Sequence, residues 1–214
     1  MSKVRNAYHD NVRRDVFPFI PVPAKRLLDV GGGVGATASA LKNAGMADWT
    51  GVVDLVAPST EEMDIDFAYA ASLDLAGTYE AILQEHGQFN TILCLDILEH
   101  LKEPWDAVKH ISNLLAPGGY LIASIPNVQH ASVTWPLLRG RWELADDGIL
   151  DRTHIRFFTK RSAVDLMMET GLELDLVTPL INSRSKAGML NTGTAHIFEN
   201  FLARQFLIRM HKKI

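Results

Sequence analysis

The chain has 214 residues, of which 47% are hydrophobic and 21% are charged, and its formal net charge is −4. This apolar fraction excludes an intrinsically disordered chain, and the slight acidity disfavours general nucleic-acid binding, which needs an excess of Lys and Arg. The single cysteine cannot form an internal disulfide, and no apolar stretch approaches the roughly 20 residues that span a bilayer. We therefore expect one cytoplasmic domain, residues 1–214, with no membrane span.

Short apolar runs alternate with helix-like segments, which is typical of a doubly wound α/β fold with a mostly parallel sheet. We predict strands at residues 26–30, 49–54, 90–95, 120–125, 172–177 and 206–210. We predict helices at 36–44 and 104–115, and a third that Thr159 caps and Gly171 ends. Residues 58–86 fit either a helix and a strand or two short helices, and residues 183–195 are predicted to form a loop.

The sharpest motif is a glycine-rich turn, LLDVGGGVGA at residues 27–36, between the first strand and the first helix. Glycines permit positive φ angles and let a ligand lie against bare backbone. The following helix N-terminus offers unpaired N–H groups and a partial positive charge. The spacing also satisfies the loose dinucleotide pattern, so a nicotinamide-dependent oxidoreductase stays an alternative.

Acidic residues around this turn indicate whether the ligand is a dinucleotide or a nucleoside with an ammonium group. Asp29, just before the glycines, suits a ligand with an ammonium group and suits a pyrophosphate poorly. Asp54, which ends the second strand, can accept hydrogen bonds from both hydroxyls of a ribose, and Asp74 is a weaker candidate for an adenine amino group. Asp96 closes a later apolar strand beside the same pocket. An ammonium, a ribose and an adenine together describe S-adenosylmethionine.

From about residue 8 to residue 177, the sequence resembles the class I S-adenosylmethionine-dependent methyltransferases. The resemblance rests on four motifs in order: LLDVGGGVG, VVDL, LDILEHL and LLAPGGYLIASIPN. It implies a seven-stranded sheet whose last strand is antiparallel, S-adenosylmethionine as cofactor and S-adenosylhomocysteine as product. The residues predicted to contact the cofactor are Tyr8, Asp29, Gly31, Gly33, Asp54, Leu55, Asp74, Asp96, Ile97 and His100, with Arg13 and Arg14 as weaker candidates.

Residues 139–159 resemble a bacterial subgroup that includes methionine-biosynthesis MetW-like proteins and methyltransferases of sugar and surface-polysaccharide pathways. This resemblance implies that residues 126–158 form an insertion on the substrate side. The other parts are then an N-terminal cap (1–25), a cofactor-binding core (26–125) and a C-terminal helix with strands (159–214). The acceptor is predicted to be a small molecule, with a sugar or nucleotide-sugar hydroxyl favoured and a quinone-type acceptor open. A non-catalytic, cofactor-binding partner of another enzyme stays a second alternative.

Methyl transfer to a hydroxyl requires alignment of donor and acceptor and removal of one proton. Histidine titrates near pH 6.5 and can take that proton, so His154 is the first candidate base and His130 the second. A purely structural role is equally open for each. Candidate substrate contacts are Asn127, Trp135 and Arg152, although Arg152 could instead pair with Asp151.

Glu99 and His100 are residue types that bind metals, but a metal site needs three or four protein ligands. The sequence offers no second cluster with convincing spacing. We therefore predict no metal, and the oligomeric state is not predicted.

Overall fold

A computed structural model describes residues 12–56, 60, 62–181, 192–193 and 196–214. Seven strands form one sheet in this part of the chain, in the order β3-β2-β1-β4-β5-β7-β6. The strands are β1 Arg26–Val30, β2 Trp49–Asp54, β3 Phe67–Ala70, β4 Phe89–Leu95, β5 Leu115–Pro126, β6 Glu173–Pro179 and β7 Gln205–His211. The described helices are α1 Ala36–Asn43, α2 Ala76–His86, α3 Pro104–Leu114, α4 Ala131–Leu137, α5 Lys160–Met168 and α6 Glu199–Leu202.

Strand β1 lies inside the sheet and packs on both faces. Because side chains alternate along a strand, Leu28 and Val30 join one hydrophobic cluster and Leu27 joins a second. The first cluster includes apolar residues of α2, α3 and α5. The second includes Leu41 of α1 and Val16 of a 3-10 helix at Arg14–Phe19. The centre of the sheet is therefore covered on both sides, and ligand sites are expected at the strand ends.

The strand directions confirm the predicted fold class. Strands β1 to β5 pair in parallel, whereas β7 runs antiparallel to both β5 and β6. The strand order reverses between β1 and β4. The loops that follow these two strands therefore diverge from each other at the carboxyl ends of the strands. Open α/β sheets bind ligands at such a switch point.

Most predicted elements are confirmed, and the differences are local. The uncertain region 58–86 contains strand β3 followed by helix α2. Strand β5 begins at Leu115 rather than 120, because Leu115 pairs with Phe89 before a register shift that accommodates the glycines at 118 and 119. Thr159 caps α5 by accepting a 3.1 Å hydrogen bond from Ser162 N–H, and Gly171 has φ +83°. The predicted loop at 183–195 lies almost wholly outside the described residues. Among the described residues, every helix is too short or too polar to cross a bilayer.

Gly51 provides a test of the packing between β2 and β3. A Cβ atom there would lie 1.9 Å from Phe67 Cε1, and the Phe67 ring stacks on Trp49 at 5.5 Å. We expect Gly51→Ala to lower the free energy of unfolding by about 1–3 kcal/mol, as overpacked cores do. Urea unfolding followed by circular dichroism measures this.

Gly77→Ala in helix α2 is the matched control, because no described atom lies within 4 Å of its added Cβ. It should leave the stability unchanged or raise it by less than about 1 kcal/mol. Equal stabilities of the two variants would contradict the packing at Gly51.

Candidate active site

The glycine turn brings bare backbone against the end of β4. Gly31 has φ +76° and donates from its N–H to the Val53 carbonyl at 2.7 Å. A Cβ on Gly31 would lie 2.5 Å from Ile97 Cγ1. A Cβ on Gly32 would lie 2.6 Å from the carboxyl carbon of Asp29. Side chains at these two positions would therefore collide with Ile97 and Asp29.

Asp29 is a buried carboxyl at this turn, with 2% of its surface exposed. Burial, together with the nearby charge of Asp54, raises the pKa of Asp29 to about 7, while Arg13 opposes this shift. A buried carboxyl with a raised pKa is ionised more easily when a cation binds beside it. The position therefore fits a ligand that carries a positive charge.

Asp54 ends β2 and closes the other side of the turn. One of its carboxylate oxygens accepts a hydrogen bond from Gly33 N–H at 2.9 Å, and the other accepts from Val56 N–H at 3.3 Å. Leu55 beside it is 71% exposed. Gly33 has φ +56°, so the backbone N–H that bonds Asp54 belongs to a left-handed glycine of the turn after β1. The carboxylate of Asp54 and the exposed apolar side chain of Leu55 therefore lie next to each other after β2.

Asp74 is exposed in the loop before α2 and accepts a hydrogen bond from Lys102 N–H at 2.8 Å. It therefore joins the loops that precede α2 and α3. Tyr8, another predicted contact, lies outside the described residues.

Asp96 follows β4 with φ +55° and connects several elements. Its carboxylate contacts the Arg13 guanidinium and the Gln205 amide, and accepts from Ser124 Oγ at 3.0 Å. Arg13 also bonds both oxygens of Asp15, at 3.0 and 2.9 Å. Arg13 is a weaker predicted cofactor contact, whereas no sequence pattern indicates Ser124 and Gln205, because strand pairing alone brings these two to Asp96.

Three side chains meet beyond β4, namely Glu99, His100 and His154, with polar atoms within 4.8 Å of one another. His154 Nδ1 is 3.0 Å from the Ile149 carbonyl, and the two histidine rings lie 4.7 Å apart. His154 Nε2 lies 3.9 Å from Glu99 Oε1. The predicted absence of a metal stays a prediction, although residue types that bind metals come together here.

Glu99 is 1% exposed, and neither of its carboxylate oxygens has a hydrogen-bond partner among the described residues. Burial, and then the neighbouring Asp96, raise the pKa of Glu99 well above its ordinary value. Burial, and then His154, lower the pKa of His100. The sequence motif contained Glu99, but no pattern indicated that His154 would face it.

Two predicted residues, Asn127 and His130, make local hydrogen bonds in this region. Asn127 is buried, and its amide donates to the carbonyls of Asn200 and Ala203 at 2.7 and 2.8 Å. It ties β5 to α6, and a substrate contact stays a prediction for Asn127. His130 caps α4 by accepting from Ser132 N–H at 3.1 Å through Nδ1. With this hydrogen bond, Nδ1 lacks a proton in the neutral ring and Nε2 carries it, and the role of base stays a prediction for His130.

The remaining predicted contacts lie on the surface of the insertion. Trp135 is 61% exposed and stacks under the Arg139 guanidinium at 4.2 Å. Arg152 is exposed and pairs with Asp146, not with Asp151. The Asp151 carboxylate instead accepts from Thr153 at 2.7 Å. A substrate contact stays a prediction for Trp135 and Arg152.

The raised pKa of Asp29 predicts how stability depends on pH. Its folded-state pKa of about 7 exceeds the ordinary 3.8, so the folded state loses stability as pH rises from about 4 to 7. Asn cannot ionise, so Asp29→Asn should be more stable than wild type at about pH 8, by up to about 4 kcal/mol. At about pH 4 the two should be similar. Urea unfolding without ligand measures both.

Exposed Asp48→Asn is the control for this measurement and should follow the wild type at every pH. A constant difference between Asp29→Asn and wild type across the pH range would contradict the burial of an ionisable Asp29.

Comparisons with known proteins agree with this architecture. Residues 2–177 match the family model described as a methyltransferase domain. The ubiquinone biosynthesis O-methyltransferase of Psychrobacter arcticus is 32% identical over 158 residues, which cover 69% of this chain and 58% of that protein. The protein of the same name from Paracidovorax citrulli is 27% identical, over 74% of this chain and 71% of its own length. The chain thus spans less than two thirds of the length of the Psychrobacter arcticus protein.

Two solved structures share the fold. The Burkholderia thailandensis 1,6-didemethyltoxoflavin-N1-methyltransferase, with bound 1,6-didemethyltoxoflavin and S-adenosylhomocysteine, has a TM-score of 0.63 at 16% identity and covers 99% of this chain and 83% of its own. An S-adenosylmethionine-dependent methyltransferase from Mesorhizobium loti has a TM-score of 0.59 at 16% identity, with coverages of 92% and 96%. At these identities the likeness establishes the fold alone. From the family match, the chain belongs to the family of methyltransferase domains.

Proposed function

We propose that this protein uses S-adenosylmethionine to methylate a hydroxyl group of a small molecule. The observation that carries the proposal is the buried Asp29 carboxyl, whose pKa is about 7, beside the bare backbone of Gly31. Both lie where β1 and β4 diverge. A cationic ligand bound there compensates the buried negative charge, and S-adenosylmethionine carries an ammonium and a sulfonium group.

Different residues of this chain are assigned to different groups of the cofactor. Asp29 faces the ammonium, and Gly31 and Gly33 allow close approach to the backbone. Asp54 accepts from the ribose hydroxyls. Further contacts along the same edge are assigned to Leu55, Asp74, Asp96, Ile97 and His100, and to Tyr8 on the N-terminal segment. When bound, the cofactor supplies a methyl group already activated by its sulfonium.

His154 is the proposed base for the acceptor hydroxyl. Its Nδ1 faces the Ile149 carbonyl, which can only accept a hydrogen bond, so Nδ1 carries the proton in the neutral ring. Nε2 then has a lone pair free for a proton from the acceptor.

An aromatic hydroxyl is the acceptor we favour. The relatives are named for ubiquinone biosynthesis, and the insertion exposes apolar rings suited to an aromatic acceptor. Trp135 is exposed, and Trp142 meets Phe157 edge to face at 5.1 Å. The sugar hydroxyl favoured by the sequence subgroup is the second candidate, because the same aromatic surfaces can stack on sugars.

Two alternatives to a methyltransferase are a nicotinamide-dependent oxidoreductase and a non-catalytic, cofactor-binding partner of another enzyme. A nicotinamide-dependent oxidoreductase would place a pyrophosphate beside the buried Asp29 acid, which repels it. A non-catalytic regulatory partner would bind the cofactor without transferring a methyl group. An activity assay, and not a binding measurement, therefore distinguishes it from an enzyme.

Calorimetric titration with S-adenosylhomocysteine tests the binding site. We expect saturable binding by wild type that weakens about 10-fold or more in Asp54→Asn, because hydrogen bonds to a charged acceptor contribute about 1.5–3 kcal/mol each. Binding should also weaken as pH falls below about 7, since protonated Asp29 no longer attracts the ammonium. Asp48→Asn serves as the control and should bind as wild type does.

Turnover is then measured with tritiated S-adenosylmethionine and either catechol or UDP-glucose as the probe acceptor. Methyl transfer to catechol supports the aromatic acceptor, and transfer to UDP-glucose supports the sugar. A folded wild type that binds NADH and neither S-adenosyl compound would contradict the proposed function.

A further inference from the structure

Arg13 crosses the edge of the sheet between the glycine turn and the ends of β4 and β5. Its backbone N–H donates to Thr37 Oγ1 at 3.2 Å, in the first turn of α1. Its guanidinium contacts the Asp96 carboxylate after β4 and donates to Ser124 Oγ, near the end of β5, at 3.3 Å. Arg13 therefore links the two sides of the switch point at which the cofactor is proposed to bind.

The guanidinium of Arg13 gives Asp96 a cationic partner. Asp96 Oδ2 accepts from Arg13, whereas Asp96 Oδ1 accepts from the Ser124 hydroxyl and the Gln205 amide. The Asp96 side chain is only 11% exposed, so its carboxylate has lost most of its water and depends on these donors. The positive charge of Arg13 thus compensates a carboxylate that is assigned to the cofactor site.

The charge of Arg13 also reaches other buried carboxyls along this edge. Burial, and then Asp54, raise the pKa of Asp29 to about 7, and Arg13 opposes this rise. Burial raises the pKa of Glu99 as well, and Arg13 again opposes the rise. Asp15, which Arg13 also bonds, has a side chain that is 48% exposed, so water screens its charge. Arg13 therefore adds positive potential to an edge where carboxyls make the potential negative.

S-adenosylmethionine and S-adenosylhomocysteine differ by one methyl group and by the charge of the sulfur that carries it. The sulfur of the cofactor is a sulfonium cation, and the sulfur of the product is uncharged. Both molecules carry the same ammonium, carboxylate and ribose groups. When a charged residue is replaced, a change in the ratio of the two dissociation constants therefore reports a change in the electrostatic potential at the sulfur.

We propose that Arg13 is a specificity-determining residue that limits the preference of this site for the sulfonium cofactor over its uncharged product. This inference rests on the proposed function. Methyl transfer disperses the sulfonium charge, so a site that stabilises this charge more in the bound cofactor than in the transition state slows the reaction. Arg13 reduces that stabilisation, and it keeps Asp96 paired after the sulfur has become uncharged.

Calorimetric titration with both S-adenosyl compounds, at about pH 8 and constant ionic strength, tests this inference. In Arg13→Gln, the Kd for S-adenosylhomocysteine divided by the Kd for S-adenosylmethionine should rise by about 5- to 20-fold, the effect of one unit charge near a partly buried site. Arg13→Lys keeps the charge and should restore most of the wild-type ratio. A purely structural role of Arg13 would change both Kd values by the same factor.

Arg14→Gln is the matched control, because it removes the same charge from the neighbouring residue. Arg14 is exposed, and its guanidinium lies over the Phe17 ring at 5.9 Å. This variant should leave the ratio of the two Kd values unchanged.

Asp96→Asn and the double variant Arg13→Gln/Asp96→Asn complete a double-mutant cycle. In Asp96→Asn the ratio should fall below that of wild type, because one negative charge is lost and Arg13 keeps its positive charge. The double variant should return the ratio toward the wild-type value. It leaves no uncompensated carboxylate at position 96, so its comparison with Asp96→Asn measures the effect of Arg13 even if Arg13→Gln alone does not fold.

An unchanged ratio on removal of Arg13, in either background, would overturn the inference. Arg13 would then be structural or would bind a group that both compounds share, such as the carboxylate, and the two Kd values would rise together. Wild type that binds neither S-adenosyl compound would contradict the proposed function and this inference with it. Wild type that binds both, with the same ratio in the variants that lack Arg13, would contradict the role of Arg13 alone.

Discussion

The close approach of two strand ends, where Gly31 of the first turn meets Ile97 after β4, is the constraint on which the site depends. A Cβ on Gly31 would lie 2.5 Å from the Ile97 side chain. Asp29 at the same turn is 2% exposed, so water that would normally solvate a carboxyl is excluded. The same contact sets the start of the segment that carries Asp96 and Glu99. The contact between Gly31 and Ile97 therefore links the turn that carries Asp29 to the segment that carries the acidic residues beyond β4.

Two buried carboxyls lie at the edge of the sheet that is formed by the carboxyl ends of the parallel strands. Asp29 lies at the glycine turn, where a cation would compensate it, and Glu99 lies under the insertion, where His154 faces it. Asp96 between them is already bonded by Arg13, Ser124 and Gln205.

Local patterns were enough to predict the strands, the glycine turn and the acids at strand ends. The run RLLDVGGG carries both the apolar pattern of a buried strand and the glycines that follow it, so the positions of Asp29 and Gly31 in this turn are predicted directly. Long-range placement could not be predicted in this way. His154 reaches Glu99, and Gln205 reaches Asp96, only through strand order and insertion docking. The backbone partners of the buried Asn127 amide could not be predicted for the same reason, since polarity in a sequence does not reveal which backbone carbonyls satisfy it.

The crystal structure of this protein with S-adenosylhomocysteine is the most direct test of the central claim, that Asp29 and Asp54 bracket a cationic nucleoside ligand at the glycine turn. The account predicts the amino group of the ligand within hydrogen-bond distance of Asp29 and the two ribose hydroxyls on Asp54. Density for the ligand elsewhere, or a ribose remote from Asp54, would contradict it.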